Sequence, residues 1–147
     1  MSNSPGSLLG GYHPSHMKAR VHVRTEHGTD ATLGWTDGPS VTIDGSPEVG
    51  SMLLCLAVGG CYANTLLGEA AKRGIGVRSV EVDVETEWVD NPARTQGVTL
   101  SVRVDADADE PAIMDHVEHT DKIAEVANSL RLGTPVRVTD AHVIARR

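Results

Sequence analysis

Between Ser51 and Leu67 the chain reads Ser-Met-Leu-Leu-Cys-Leu-Ala-Val-Gly-Gly-Cys-Tyr-Ala-Asn-Thr-Leu-Leu, the longest apolar tract in the sequence. No other stretch constrains the fold as strongly. Its uninterrupted run, Met52 to Ala63, is 12 residues long, short of the roughly 20 that a membrane span needs. A helix that is apolar round its whole circumference packs on more than one side, so the tract predicts a buried helix in a core or an interface. Gly59 and Gly60 fall in its middle. Each costs a helix about 0.8–1 kcal/mol relative to alanine, a cost that makes sense where another backbone comes close. Both cysteines of the chain, Cys55 and Cys61, lie in the same tract. Six residues of helix rise about 9 Å, beyond the roughly 7 Å limit on Cα separation in a disulfide, so the two thiols cannot bridge each other on one helix.

The elements around this helix follow from local pattern. Residues 1–16 are rich in Ser, Gly and Pro without periodicity and read as a flexible arm or leader, which leaves residues 17–147 as a single domain. Ala19, Val21 and Val23 alternate with Arg20, His22 and Arg24, the signature of a half-buried strand. Two short strands follow, 31–35 and 40–44, joined by turn residues into an antiparallel meander. Ser46 or Ser51 is a candidate cap for the central helix; Lys72, Arg73 and Gly74 close it. Val80, Val82 and Val84 then mark a long strand with acidic residues on its other face. After the turn at Asp90–Arg94, Val98, Leu100, Val102 and Val104 mark the returning strand. Ile113, Val117, Thr120, Ala124, Ala127 and Leu130 recur at helical spacing and predict one amphipathic helix over 111–131, after which a last strand spans 136–145. The order βββ-α-ββ-α-β belongs to the α+β class, with a sheet of about six strands. One all-apolar helix is then left needing a further apolar partner, for which a second copy of the chain is the simplest source. A homodimer is expected.

Composition narrows the function classes. Twenty acidic against 13 basic residues give a net charge of -7 with no Lys/Arg block, which argues against nucleic-acid and anionic-membrane partners. Phenylalanine is absent, so Val, Leu, Ile and Ala must build the core. With no secretory leader of the basic-then-apolar kind, the expectation is a cytoplasmic protein with free thiols. His116 and His119 sit at helical spacing beside Asp115, but further metal ligands are not evident; neither a metal nor a cofactor is expected.

The segment Leu53 to Leu66 resembles the central helix of the OsmC/Ohr superfamily, whose motif reads "LLLAALGGC", and the element order is similar too. The likeness runs from Met17 to the end of the chain. It implies antiparallel sheets around a buried central helix, in small intertwined homodimers that act as thiol peroxidases with active sites between subunits. By position, the peroxidatic cysteine is Cys61. The family's resolving cysteine lies in a second-helix motif like "DKLCPVSNAL"; the matching stretch here is Asp121 to Leu130, with Ala124 at the cysteine's place. Ser51 and Met52 stand where the family carries a glutamate, and Glu48 is a turn too early. The turn His27–Asp30 replaces the arginine-bearing loop, although Arg24 is nearby on a strand. The resemblance also implies a pocket beside Cys61, with Tyr62, Cys55 and Arg24 as its candidate wall.

Peroxide chemistry requires a thiolate, whereas an unperturbed cysteine, of pKa about 8.5, is mostly neutral at pH 7. Attack yields a sulfenic acid and an alcohol. With alanine at position 124, turnover would need an external thiol or Cys55 of the partner subunit. Two functions are therefore expected in competition. One is a (hydro)peroxide reductase using Cys61 and an external thiol. The other is a non-catalytic dimer that binds a small apolar ligand in the intersubunit pocket.

Overall fold

A computed structural model describes residues 19–24, 30–35, 41–44, 49–144 and 146, with side chains from residue 50 onward. The proposed arm at 1–16, the cap Ser46 and most of the turn at His27 lie outside the described residues. β1 (Ala19–Arg24), β2 (Asp30–Trp35) and β3 (Val41–Asp44) form the meander read from the sequence. They pair antiparallel in the order β1-β2-β3, with Val21 opposite Leu33 and Ala31 opposite Ile43.

α1 (Val49–Arg73) is 25 residues long. Ser51 falls inside its first turn and so is not its cap. Its C-terminus is a Schellman turn: Gly74 adopts φ +70°, the Ile75 N–H donates to the Ala70 carbonyl at 2.9 Å, and the Gly74 N–H to that of Ala71 at 3.3 Å. The span Gly50–Arg73 is long and apolar enough, by length and composition, to cross a membrane, which the 12-residue reading of the apolar run did not anticipate. One stripe of that helix nevertheless makes the core of the chain. Val58, Tyr62, Leu66 and Ala70, spaced by four, are all buried. The helix is thus buried on one face only: Met52 and Leu56 are 59% and 69% exposed.

β4 (Gly76–Val89) and β5 (Arg94–Asp107) form one long hairpin. Val80, Val82 and Val84 face Val104, Val102 and Leu100 across it, which puts these six apolar side chains on one face and Glu81, Asp83, Glu85 and Glu87 on the other. Arg103 reaches across the outer face to Glu81 at 3.2 Å. The strands extend beyond the apolar alternation because backbone pairing continues where the side chains turn polar.

α2 (Glu110–Ile123) begins at Asp109, whose carboxylate accepts from the Ala112 N–H at 3.0 Å. The single helix read over 111–131 is in fact two. Ala124, at φ -62° and ψ 111°, separates α2 from α3 (Glu125–Leu132). The break leaves Ala124 and Ala127 both buried in one cluster with Tyr62 and Leu66, flanked by Val80, Val82, Leu100, Val102 and Val117. Two further expectations are corrected. Among the described residues there are two sheets, of three and two strands, instead of one of six. The last strand, read over 136–145, is not formed among the described residues either: residues 134–144 carry no regular structure, and Val136 is 94% exposed. An alternating pattern becomes a strand only against a hydrogen-bonding edge.

Candidate functional site

α1 and β4 lie against each other where Gly59 allows it. A Cβ at position 59 would stand 2.9 Å from Val84 Cγ2, so any larger residue there would push the helix off the strand. Gly59 is thus explained by a contact within the chain. Gly60 is different, since a Cβ there meets nothing within 4 Å.

Beside this contact the helix and strand diverge into an open groove of about 710 Å³. Met52, Cys55, Leu56 and Gly60 line it from α1; Val84, Thr86 and Trp88 line it from β4. The walls are apolar, with Ser51, Cys55 and Thr86 as their polar exceptions. Thr86 is anchored, donating to the Gly97 carbonyl at 2.9 Å and sharing a short hydrogen bond with Thr95. Such a space takes an apolar molecule and offers it a thiol and two hydroxyls. Thr86 and Trp88 were not singled out as site residues from the sequence. The available signal was parity, because both continue the Val80–Val82–Val84 face of β4 toward the part of α1 rich in small residues.

The candidate residues are distributed unevenly around the groove. Cys55 is a free, half-buried thiol in its wall. Cys61 is also free and half-buried, but it occupies a different face of α1 and does not line the groove. Tyr62 points to neither. It is buried in the core, where its hydroxyl donates to the Val117 carbonyl at 3.0 Å. Burial, and secondarily the charge of Asp121, raises its phenol above the ordinary tyrosine range. Arg24 is the last residue of β1, opposite Asp30, and its side chain lies outside the described residues. Ala124, at the place of the family's second cysteine, is packed into the core beside Tyr62.

The two histidines have separate partners. His116 is buried, with Nε2 at 2.8 Å from the Leu66 carbonyl. A carbonyl only accepts, so Nε2 carries a proton, and Nδ1 is buried with no hydrogen-bond partner among the described residues. His119 lies 3.4 Å from Glu69, which also holds Lys72 at 2.5 Å. The hydrogen bonds from Lys72 and then His119 lower the Glu69 carboxyl below its usual range. Arg73 reaches Asp115 at 3.1 Å, so an ion pair and the His119–Glu69 contact join the end of α1 to α2.

Solved structures share this fold. An OsmC-like protein from Mycoplasma pneumoniae superimposes with a TM-score of 0.69 at 15% identity, covering 82% of this chain and 89% of that one. An OsmC-like protein from Vibrio cholerae gives 0.64 at 17% identity, over 79% and 94% of the two chains. An organic hydroperoxide resistance protein OsmC from Legionella pneumophila gives 0.54 at 16% identity, over 82% and 92%. No curated protein matches the sequence. At these identities the likeness establishes the fold alone. The family described as OsmC-like protein matches residues 50–139, from the start of the central helix past the end of α3, and the chain belongs to that family.

Proposed function

We propose that this chain is a cytoplasmic homodimer that reduces organic hydroperoxides, with Cys61 as the attacking thiol and an external thiol as reductant. The observation that carries the reading is Cys61 itself: a free, half-exposed thiol directly after the glycine pair of a segment that matches the family. The hydroperoxide resistance protein of similar fold supports the substrate class. In the proposed step the Cys61 thiolate attacks one peroxide oxygen and the O–O bond breaks. The alkoxide leaves as an alcohol after taking a proton, and the sulfur becomes a sulfenic acid. One external thiol condenses with it to a mixed disulfide and water; a second attacks the external sulfur of that disulfide, forming an external disulfide and expelling the Cys61 thiolate. Position 124 supplies no thiol for an internal disulfide. A second copy of the chain would cover the exposed apolar face of α1 around Met52 and Leu56.

A second reading, a non-catalytic dimer that binds an apolar ligand, draws on a separate observation. The apolar groove is walled by Cys55 and not by Cys61. The two readings part when reduced protein is mixed with cumene hydroperoxide and followed by intact mass and peroxide consumption. The reductase gains one oxygen or a mixed disulfide on Cys61, and Cys61→Ser loses the activity. Absence of any adduct, with Cys61→Ser consuming peroxide as fast as the unmodified chain, sinks the reductase reading.

A further inference from the structure

No proline or glycine interrupts the stretch from Ala112 to Leu132, and Ala124, at the break, is the residue type that best favours helix. The apolar spacing also runs through the break in helical phase, from Ile113 and Val117 to Ala124 and Ala127. Nothing local therefore demands the bend. It is held from outside the backbone, by side chains of α3 that cap the carbonyls α2 leaves open at its end. Arg131 donates to the Asp121 carbonyl at 2.8 Å and to its carboxylate at 2.6 Å, and Asn128 donates to the Lys122 carbonyl at 2.9 Å. Arg131 is also braced by the Asn128 side-chain oxygen at 3.0 Å.

The seat beneath α3 is shallow. Of its eight residues only Ala127 is buried. A cleft of about 300 Å³ is lined by Ala127, Leu130 and Arg131 of α3 and by Val98 and Leu100 of β5. A short helix with one buried alanine, a cleft beside it and an exposed polar tether belongs to the least stable part of a fold. We propose that α3 is a hinged flap: it swings about Ala124 toward a straight α2–α3 helix, Arg131 on Asp121 holds it shut, and its opening uncovers the core beside Tyr62. Tyr62 follows Cys61 in the chain, so the flap governs access to the far side of the helix that carries the candidate thiol. The inference stands whether or not the reductase reading does.

The test uses the full chain with Cys55→Ser and Cys61→Ser, and a single reporter, Ala127→Cys, reacted with a disulfide reagent such as Ellman's. Labelling rate then follows the population of the open flap. Arg131→Ala is expected to raise it about three- to tenfold, the order of one charge-assisted hydrogen bond at a half-exposed site. Glu125→Pro acts in the opposite direction. A proline suits the first position of α3, favours the extended conformation already present at Ala124, and forbids the straight helix; it is expected to slow labelling by at least a similar factor. Ala70→Cys, buried on α1, is the control and should not respond to either change. Equal rates with and without Arg131, no slowing by Glu125→Pro, or a parallel response at position 70 would each overturn the flap. Where Ala127→Cys does not fold, hydrogen exchange of amides 126–132 in the unmodified chain and in Arg131→Ala gives the same decision: faster exchange confined to α3 supports the hinge, and unchanged exchange rejects it.

Discussion

Replacing each member of the glycine pair by alanine isolates the close approach of α1 to β4. Both positions are mid-helical, so each substitution gains about 0.8–1 kcal/mol of helix propensity, and that gain cancels when the two variants are compared. What remains is space. At position 60 the new methyl meets nothing within 4 Å, whereas at position 59 it arrives 2.9 Å from Val84 Cγ2. Val84 is branched at Cβ and packed between α1 and Leu100 of β5, so it has little freedom to turn away. Overpacking of this kind costs about 1–3 kcal/mol. Gly59→Ala is therefore expected to be less stable than Gly60→Ala by about 1–3 kcal/mol in urea unfolding followed by circular dichroism. Adding Val84→Ala should remove much of the clash, giving a favourable coupling of about 0.5–3 kcal/mol in a double-mutant cycle. Equal stabilities for the two alanine variants, or strict additivity with Val84→Ala, would refute the assignment of Gly59 to this contact. Measured over a range of protein concentrations, Gly60→Ala also reports on the proposed dimer, because a subunit packed on this face would turn its gain into a concentration-dependent loss.

Three further outcomes follow from the same geometry. Tyr62→Phe removes the hydroxyl that donates to Val117 O and should cost about 1 kcal/mol in unfolding free energy, with helix content unchanged by far-UV circular dichroism. Glu69 has a folded-state pKa below its unfolded value, so its contribution is present above the unfolded value and is lost as pH falls through the folded one. Stability of Glu69→Gln should consequently depend less on pH in the acid range than that of the unmodified chain, which parallel denaturant titrations at stepped acid pH will show or refute. Trp88 is 47% exposed at the groove wall; an apolar ligand seated there should shift its emission to shorter wavelength, and a ligand that binds without altering the Trp88 signal occupies another site.

The sequence carried the architecture where spacing and chemistry agreed. The apolar tract became α1, Gly74 took the left-handed position at its end, and the alternating valines of β4 and β5 met across a hairpin. It did not carry features whose cause lies elsewhere in the molecule. At the bend at Ala124, Arg131 and Asn128 reach back to α2, and no local residue announces the break. The 136–145 segment has the alternation of a strand, but alternation says nothing about whether an edge is available. At the site, the motif singled out Cys61, while the groove depends on how α1 packs on β4, which put Thr86 and Trp88 in its wall beside Cys55 and sent Tyr62 to the core. Cys55 and Cys61 occupy different faces of one helix, as a spacing of six residues at 3.6 per turn requires.

The β4–β5 hairpin has a consequence for how the chain avoids misfolding. From Ser79 opposite Asp105 to Glu87 opposite Gly97 the pairing is unbroken, and a register shift bounds it at each end. Because side chains alternate strictly, rotating β4 by a single position relative to the helices would drive Glu81, Asp83, Glu85 and Glu87 against the apolar side of α1 and lift the valines into water. Desolvating four carboxylates without partners costs far more than any contact such a slip recovers. The acidic row thus acts as a proofreader against the misregistered hairpin.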